Sequence, residues 1–262
     1  MPTTYAHYSF GDNVLKNLNE DVYNLIINNI DLFNIGLHGP DILFYYKPLK
    51  SNKINKIGHD LHKLTANMFF EKARAVINSC PDNNAACAYI LGFICHYMLD
   101  SECHPYIRRK ENNMLNHSII ETEFDRFLML KNELNPISFK PTTHIMPNYN
   151  NAEIISWFFE SATKKEVLIA LKSMKFYLNF LVAPGNLKRT LIKSGLKLSG
   201  NYDNMIGLMM SYESIEECDE TNQNLYELYL NAIDPTVKIL TEYYENIKGS
   251  KGINMRFNKN FE

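Results

Sequence analysis

Two histidine–carboxylate pairs in the first half of the chain have spacing that suits metal chemistry. His96 and Asp100 lie four residues apart in HYMLD, His117 and Glu121 four apart in HSIIE, and His104 falls between them. On an α-helix residues i and i+4 share a face, so each pair aims an imidazole and a carboxylate in one direction. Three imidazoles and two carboxylates form a typical donor set for zinc or another borderline divalent ion. One such pair alone is more simply a hydrogen bond or a helix-surface ion pair. Its recurrence, with a histidine between, is what points to metal.

The element that must position the first pair is the run Ala85–Cys95, AACAYILGFIC, apolar on every face. That pattern predicts a helix buried in a core, and the run is shorter than the roughly 20 residues of a membrane span. A His and an Asp at the end of such a helix need partners, because unpaired buried polar groups are costly. Pro105 disfavours helical geometry at His104, which predicts a corner where that ring turns inward.

Upstream, His7 sits among Tyr5, Tyr8 and Phe10, and a helical pattern follows from Gly11-Asp12. Gly36, Gly39 and Pro40 force a turn before Asp41, whose role by pattern is the N-cap of the next segment. His38, Phe44, Tyr45 and Tyr46 either line a pocket or pack. Residues 53–80 read as one amphipathic helix carrying His59, Asp60 and His62, and His59 or His62 is within reach of a metal on one of its faces.

Downstream of Glu121 the helical pattern runs to Asn135-Pro136. Residues 135–153 form a long loop with three prolines, in which His144 is expected to face solvent. Helical patterns resume at 152–183, 185–198, 203–213 and 219–248, and no sustained period-two alternation calls for a sheet. The expected fold is all-α: one multi-helix domain over 1–262, with a metal cluster in a cleft between buried helices. Its ligand-bearing half spans 1–134, the loop 135–153, a helical second half 154–248 and a tail 249–262.

The formal net charge of −2 over 262 residues carries no polybasic signature for nucleic acid or anionic membrane. Hydrophobic content of 45% is enough for a packed core. Residues 1–12 have neither a basic n-region nor an apolar h-region, and the five cysteines form no disulfide framework. Both features lead to the expectation of a cytoplasmic protein. Cys95 and Cys103 are expected as small core residues rather than ligands.

With His7, Gly39-Pro40-Asp41, a histidine near 60, HYMLDSECHP and HSIIE in this order, the stretch from His7 to Arg126 resembles the zinc-dependent phospholipase C family. The resemblance implies an all-helical fold, shared with single-strand-specific zinc nucleases, and up to three metals in a cleft. It implies that Asp41, His62, His96 and Asp100 hold one zinc and that His104, His117 and Glu121 hold a second. His7 and an oxygen of Asp100 contribute to a third. His62 is preferred to His59 because the family places its histidine shortly before a Phe-Phe pair, here Phe69-Phe70. Secreted members complete the third site with a processed N-terminal amine and carbonyl, whereas Met1-Pro2 precede His7 here, so two to three Zn2+ are expected.

The activity so implied is hydrolysis of a phosphoric ester by metal-assisted displacement at phosphorus, with Asp41 orienting or deprotonating the attacking water. Tyr5, Tyr8, Phe44 and Tyr45 would form an aromatic wall suited to a choline-like head group. The expected substrate is a phosphodiester or phospholipid, with transient contact at a membrane surface. A single-strand nuclease on the same metal core would need base-stacking aromatics and a positive groove, which near-neutral charge disfavours. An HD-type phosphohydrolase would centre on His59-Asp60 and leaves the five later residues unexplained. A non-catalytic zinc module would be expected to show a closed, cysteine-rich shell.

Overall fold

The computed structural model describes residues 4–112, 114–200, 202–249 and 251–261. Met1 and Pro2, which bear on completion of a third metal site, lie outside them. Among the described residues there are α-helices, short 3-10 turns and irregular segments, and no strand. Among the described residues no helix is long and apolar enough to cross a membrane.

The centre of the fold is the long helix Asn83–Lys110 (α6), in which every residue from Ala85 to Ser101 is buried. It starts at Asp82, whose side chain accepts from the Ala85 amide. Around it pack Thr4–Leu15 (α1), Glu20–Ile27 (α2), Ile30–Gly36 (α3), Ala66–Ser79 (α5), His117–Lys131 (α7) and Asp219–Glu245 (α12). The helix Lys53–Lys63 (α4) packs instead on a 3-10 turn, Gly39–Tyr45, that itself touches α6. The α3–α6 crossing is close because two glycines meet: a Cβ on Gly36 would lie 2.2 Å from the Tyr89 carbonyl oxygen, and one on Gly92 2.2 Å from that of Phe33.

Several sequence expectations are corrected. Pro105 makes no corner; α6 runs through it, with Pro105 on the exposed side. Packing along the rest of the helix outweighs the roughly 3 kcal/mol that an interior proline costs. The helix expected over 53–80 is two, because Leu64 and Thr65 are extended and the Ala66 amide donates to the Lys259 carbonyl. The helix expected over 152–183 is also two, Tyr149–Ser156 (α8) and Lys164–Leu181 (α9). A capping box between Thr163 and Glu166 starts α9, a signal present in the sequence as T-x-x-E. Asn186–Leu198 (α10) forms as expected, whereas 203–213 holds only the end of a short helix, Tyr202–Met205 (α11), and a 3-10 turn, Ile206–Leu208.

Candidate metal centre

Five elements bring eight side chains to one buried place. His7 comes from α1, Asp41 from the 3-10 turn, and His62 from the last turn of α4. His96, Asp100 and His104 come from one face of α6, and His117 and Glu121 from the first turns of α7. Local sequence chemistry sets each of them. Asn116 caps α7 by accepting from the Ile119 amide, so His117 is the first residue of that helix. Asp125, buried on α7, accepts from the backbone amides of Tyr5 and Ala6 and so anchors the start of α1 beside His7.

Three groups of donor atoms, each within 4.8 Å of one another, could hold an ion: His7 with His96 and Asp100, Asp41 with His62 and His96, and His104 with His117 and Glu121. Asp100 links them. Its Oδ1 lies 3.1 Å from His7 Nε2 and 3.5 Å from His104 Nε2, and its Oδ2 lies 3.1 Å from His96 Nε2. Asp41 stands 3.1 Å from His62 Nε2 and 3.9 Å from His96 Nε2. Glu121 Oε1 sits between His104 Nε2 at 3.4 Å and His117 Nε2 at 3.1 Å.

The residues fit zinc by two independent observations. Both oxygens of Asp41, Oδ2 of Asp100, Oε2 of Glu121 and both ring nitrogens of His96 are buried and find no aligned hydrogen-bond partner. So many unsatisfied donors and acceptors converging in one place is the arrangement a bound cation would satisfy. In addition, three rings are held from behind. His62 Nδ1 lies 2.8 Å from the Gly58 carbonyl, His104 Nδ1 2.9 Å from the Phe261 carbonyl, and His117 Nδ1 2.7 Å from Glu111 Oε1. An acceptor on Nδ1 keeps the proton there and presents Nε2 as the ligand atom.

The electrostatics show how strongly this pocket demands positive charge. Burial opposes ionisation of Asp100, yet His104, His96 and His7 hold its pKa well below the usual carboxylate range. Burial likewise opposes charge on Glu121, and His104 and His117 bring its pKa down. Burial pulls His62 down, but Asp41 beside it overrides this and carries it up to about 9. Asp100 raises His7 in the same way, Asp100 and Glu121 raise His104, and Glu121 raises His117, each against desolvation. Without metal, ring protons compensate the carboxylates.

Of the other candidates, His59 stands apart. It is exposed, lies tilted against Phe44 with ring centroids 4.5 Å apart, and belongs to none of the three groups. Asp60 pairs with Lys56 at 2.5 Å on the surface. Asp41 does not cap the next segment; it lies within the first turn of the 3-10 stretch, aimed at the histidines. The four aromatics divide. Tyr5 and Tyr45 are buried core residues, Tyr5 taking a hydrogen bond from Asn132, while Tyr8 and Phe44 are half-buried. Burial, then Asp41 and Glu121, raise the Tyr45 pKa, so its hydroxyl stays protonated near the carboxylates.

His144 is not solvent-facing. Its ring stacks on Tyr8 at 4.2 Å, and its Nε2 lies 2.7 Å from His38 Nε2. Burial depresses both rings, aided by their mutual repulsion at His38 and by Lys175 at His144, which falls to about 3. Both are neutral, so one Nε2–H donates to the other Nε2. Sequence reasoning also missed Asp125, Glu111 and the Phe261 carbonyl, because no local pattern links residues that meet only across the fold.

Beside the ligand elements is a cavity of about 60 Å³, lined by Thr4, Tyr45, Thr122, Phe139, Leu178 and Arg189 among others. It is a mostly apolar cleft whose lining includes none of the eight converging side chains, although Thr122 directly follows Glu121 on α7. No curated protein and no solved structure matches the chain. Residues 6–176 match the family described as zinc dependent phospholipase C. That match spans more than half of the chain and includes all eight converging side chains, and this protein belongs to the zinc-dependent phospholipase C family.

Proposed function

We propose that the protein is a zinc-dependent phosphodiester hydrolase acting on a phospholipid. The observation that carries this reading is Asp100, one buried carboxylate facing His7, His96 and His104 at once, which suits a cluster of ions rather than a single closed site. Asp41, His62, His96 and Asp100 would hold one zinc, and His104, His117 and Glu121 a second. His7 with Asp100 would contribute to a third. Bound there, zinc would acidify water from about 15.7 toward about 7 and neutralise charge on phosphoryl oxygens.

The chain's own residues supply the rest. Asp41, with one oxygen toward His62 and the other toward His96, orients the attacking water and accepts its proton. Tyr45 offers a neutral hydroxyl beside the carboxylates. The cleft lined by Phe139, Leu178 and Leu181 favours the glycerol end of a lipid over a stacked base, and places no row of cations for a nucleic acid backbone.

Metal analysis of protein purified without chelator should return at least two zinc ions per chain. Assays on a chromogenic phosphocholine ester, a bis-aryl phosphate and single-stranded DNA should show turnover on the ester. Less than one equivalent of zinc defeats the proposal, and turnover on DNA alone replaces it with a nuclease.

A further inference from the structure

The surface of α10 is not that of an ordinary solvated helix. Leu187, Leu191 and Leu198 are 77%, 65% and 90% exposed. At 3.6 residues per turn they fall within an arc of about 40°, forming one outward stripe. The helix buries Arg189 and Ile192 on its other side, and Ile192 joins a small apolar cluster of its own with Leu181, Ala183 and Met209. Lys188 lies beyond the stripe on one side and Lys197 on the other, whereas Lys193 turns toward Glu123 and Arg189 on the fold side. The Lys188 ammonium also lies 5.6 Å from the Phe180 ring, and exposed Phe176 stacks with Phe180 on α9.

The local charge contrasts with that of the whole chain. From Val167 to Tyr202 the sequence contains Lys172, Lys175, Lys188, Arg189, Lys193 and Lys197 and no Asp or Glu, although the full chain carries a net charge of −2. Whole-chain composition conceals this basic segment.

We infer that the Leu187–Leu191–Leu198 stripe and its lysine frame dock the protein on an anionic lipid surface. Exposed leucines enter the boundary between head groups and acyl chains, while lysines extend their ammonium groups to the lipid phosphates. A second copy of the chain fits less well, because a two-fold contact would set this lysine frame against itself. Nucleic acid fits less well too, since a leucine stripe neither stacks on bases nor pairs with phosphates. The same two helices line the apolar cleft that Tyr45 and Thr122 also line, through Leu178, Leu181 and Arg189, so docking would bring lipid to its edge. The inference rests on the phospholipid reading of the site for its purpose, and its test is decided by vesicle binding.

The test is flotation of the zinc-loaded full chain with vesicles of phosphatidylcholine alone or mixed with phosphatidylserine. Binding is expected on the mixed vesicles and should weaken with salt. Replacing the stripe (Leu187→Asn, Leu191→Asn, Leu198→Asn) should weaken it by about tenfold or more. Replacing the frame (Lys188→Gln, Lys197→Gln) should cost roughly fivefold per lysine. Melting temperature and turnover on a soluble ester should stay at the parent's values for both variants. Absence of binding by the parent, or equal binding by the variants, overturns the inference. So does dimerisation that the leucine variant abolishes, which would make this face a self-contact. A protein that docks yet hydrolyses no phosphodiester upholds the docking and defeats the catalytic reading alone.

Discussion

The ring of His96 occupies the space that a side chain at Gly39 would need. A Cβ there would lie 2.2 Å from His96 Cδ2 and 2.8 Å from its Nε2, and Gly39 adopts φ +46°, a left-handed backbone that favours glycine. The turn that delivers Asp41 to the centre therefore depends on the same residue that leaves room for the central imidazole.

Gly39→Ala is expected to damage the centre from both sides. The backbone alone costs about 1–2 kcal/mol, and the clash adds to it by shifting His96 away from Asp41 and Asp100. Urea unfolding should show the destabilisation, and zinc per chain should fall. Parent-like values for both would mean the turn adapts without disturbing His96.

His96→Ala should lose both stability and metal. His96 is fully buried and faces Asp41 and Asp100, and removing one partner of a buried charged group costs about 3 kcal/mol or more. Thermal melting with parallel zinc analysis decides it. A variant that melts with the parent and retains its zinc contradicts the shared-ligand arrangement.

Asp41→Asn should abolish phosphodiester turnover and reduce zinc content, while Asp60→Asn should leave both at the parent level. Asp41 is buried among histidines, and Asp60 lies on the surface with Lys56. Neutralising one partner of a surface ion pair is worth at most about 1 kcal/mol. Loss confined to Asp60→Asn would transfer the chemistry to the His59-Asp60 pair.

The His38–His144 contact makes the fold sensitive to acid. Both rings have depressed pKa values when folded, His144 near 3, so unfolding lets them take up protons below about 6.5. The unfolded state then binds more protons, and stability falls as pH drops from about 6.5 toward about 3. In His144→Phe, which keeps a ring against Tyr8, the urea midpoint should fall less than the parent's between neutral and mildly acidic pH. Equal falls in the two proteins would show that these rings titrate freely in the folded state.

What the sequence by itself determined is local. Helical periodicity puts His117 beside Glu121 and His96 beside Asp100, and an all-round apolar run can only be the buried helix α6. Those spacings need no knowledge of the rest of the chain, since they follow from 3.6 residues per turn and from the cost of exposing apolar surface. The tertiary structure alone decided which distant groups join them. His62 reaches Asp41 and His59 does not, because the Gly58 carbonyl and the end of α4 turn one ring inward and leave the other at the surface. His104 faces the centre from inside a continuous helix, because packing along α6 outweighs the proline that follows it. Asp125, Glu111 and the Phe261 carbonyl support the ligand-bearing elements from far along the chain, and burial, which depends on the whole assembly, is what brings them there.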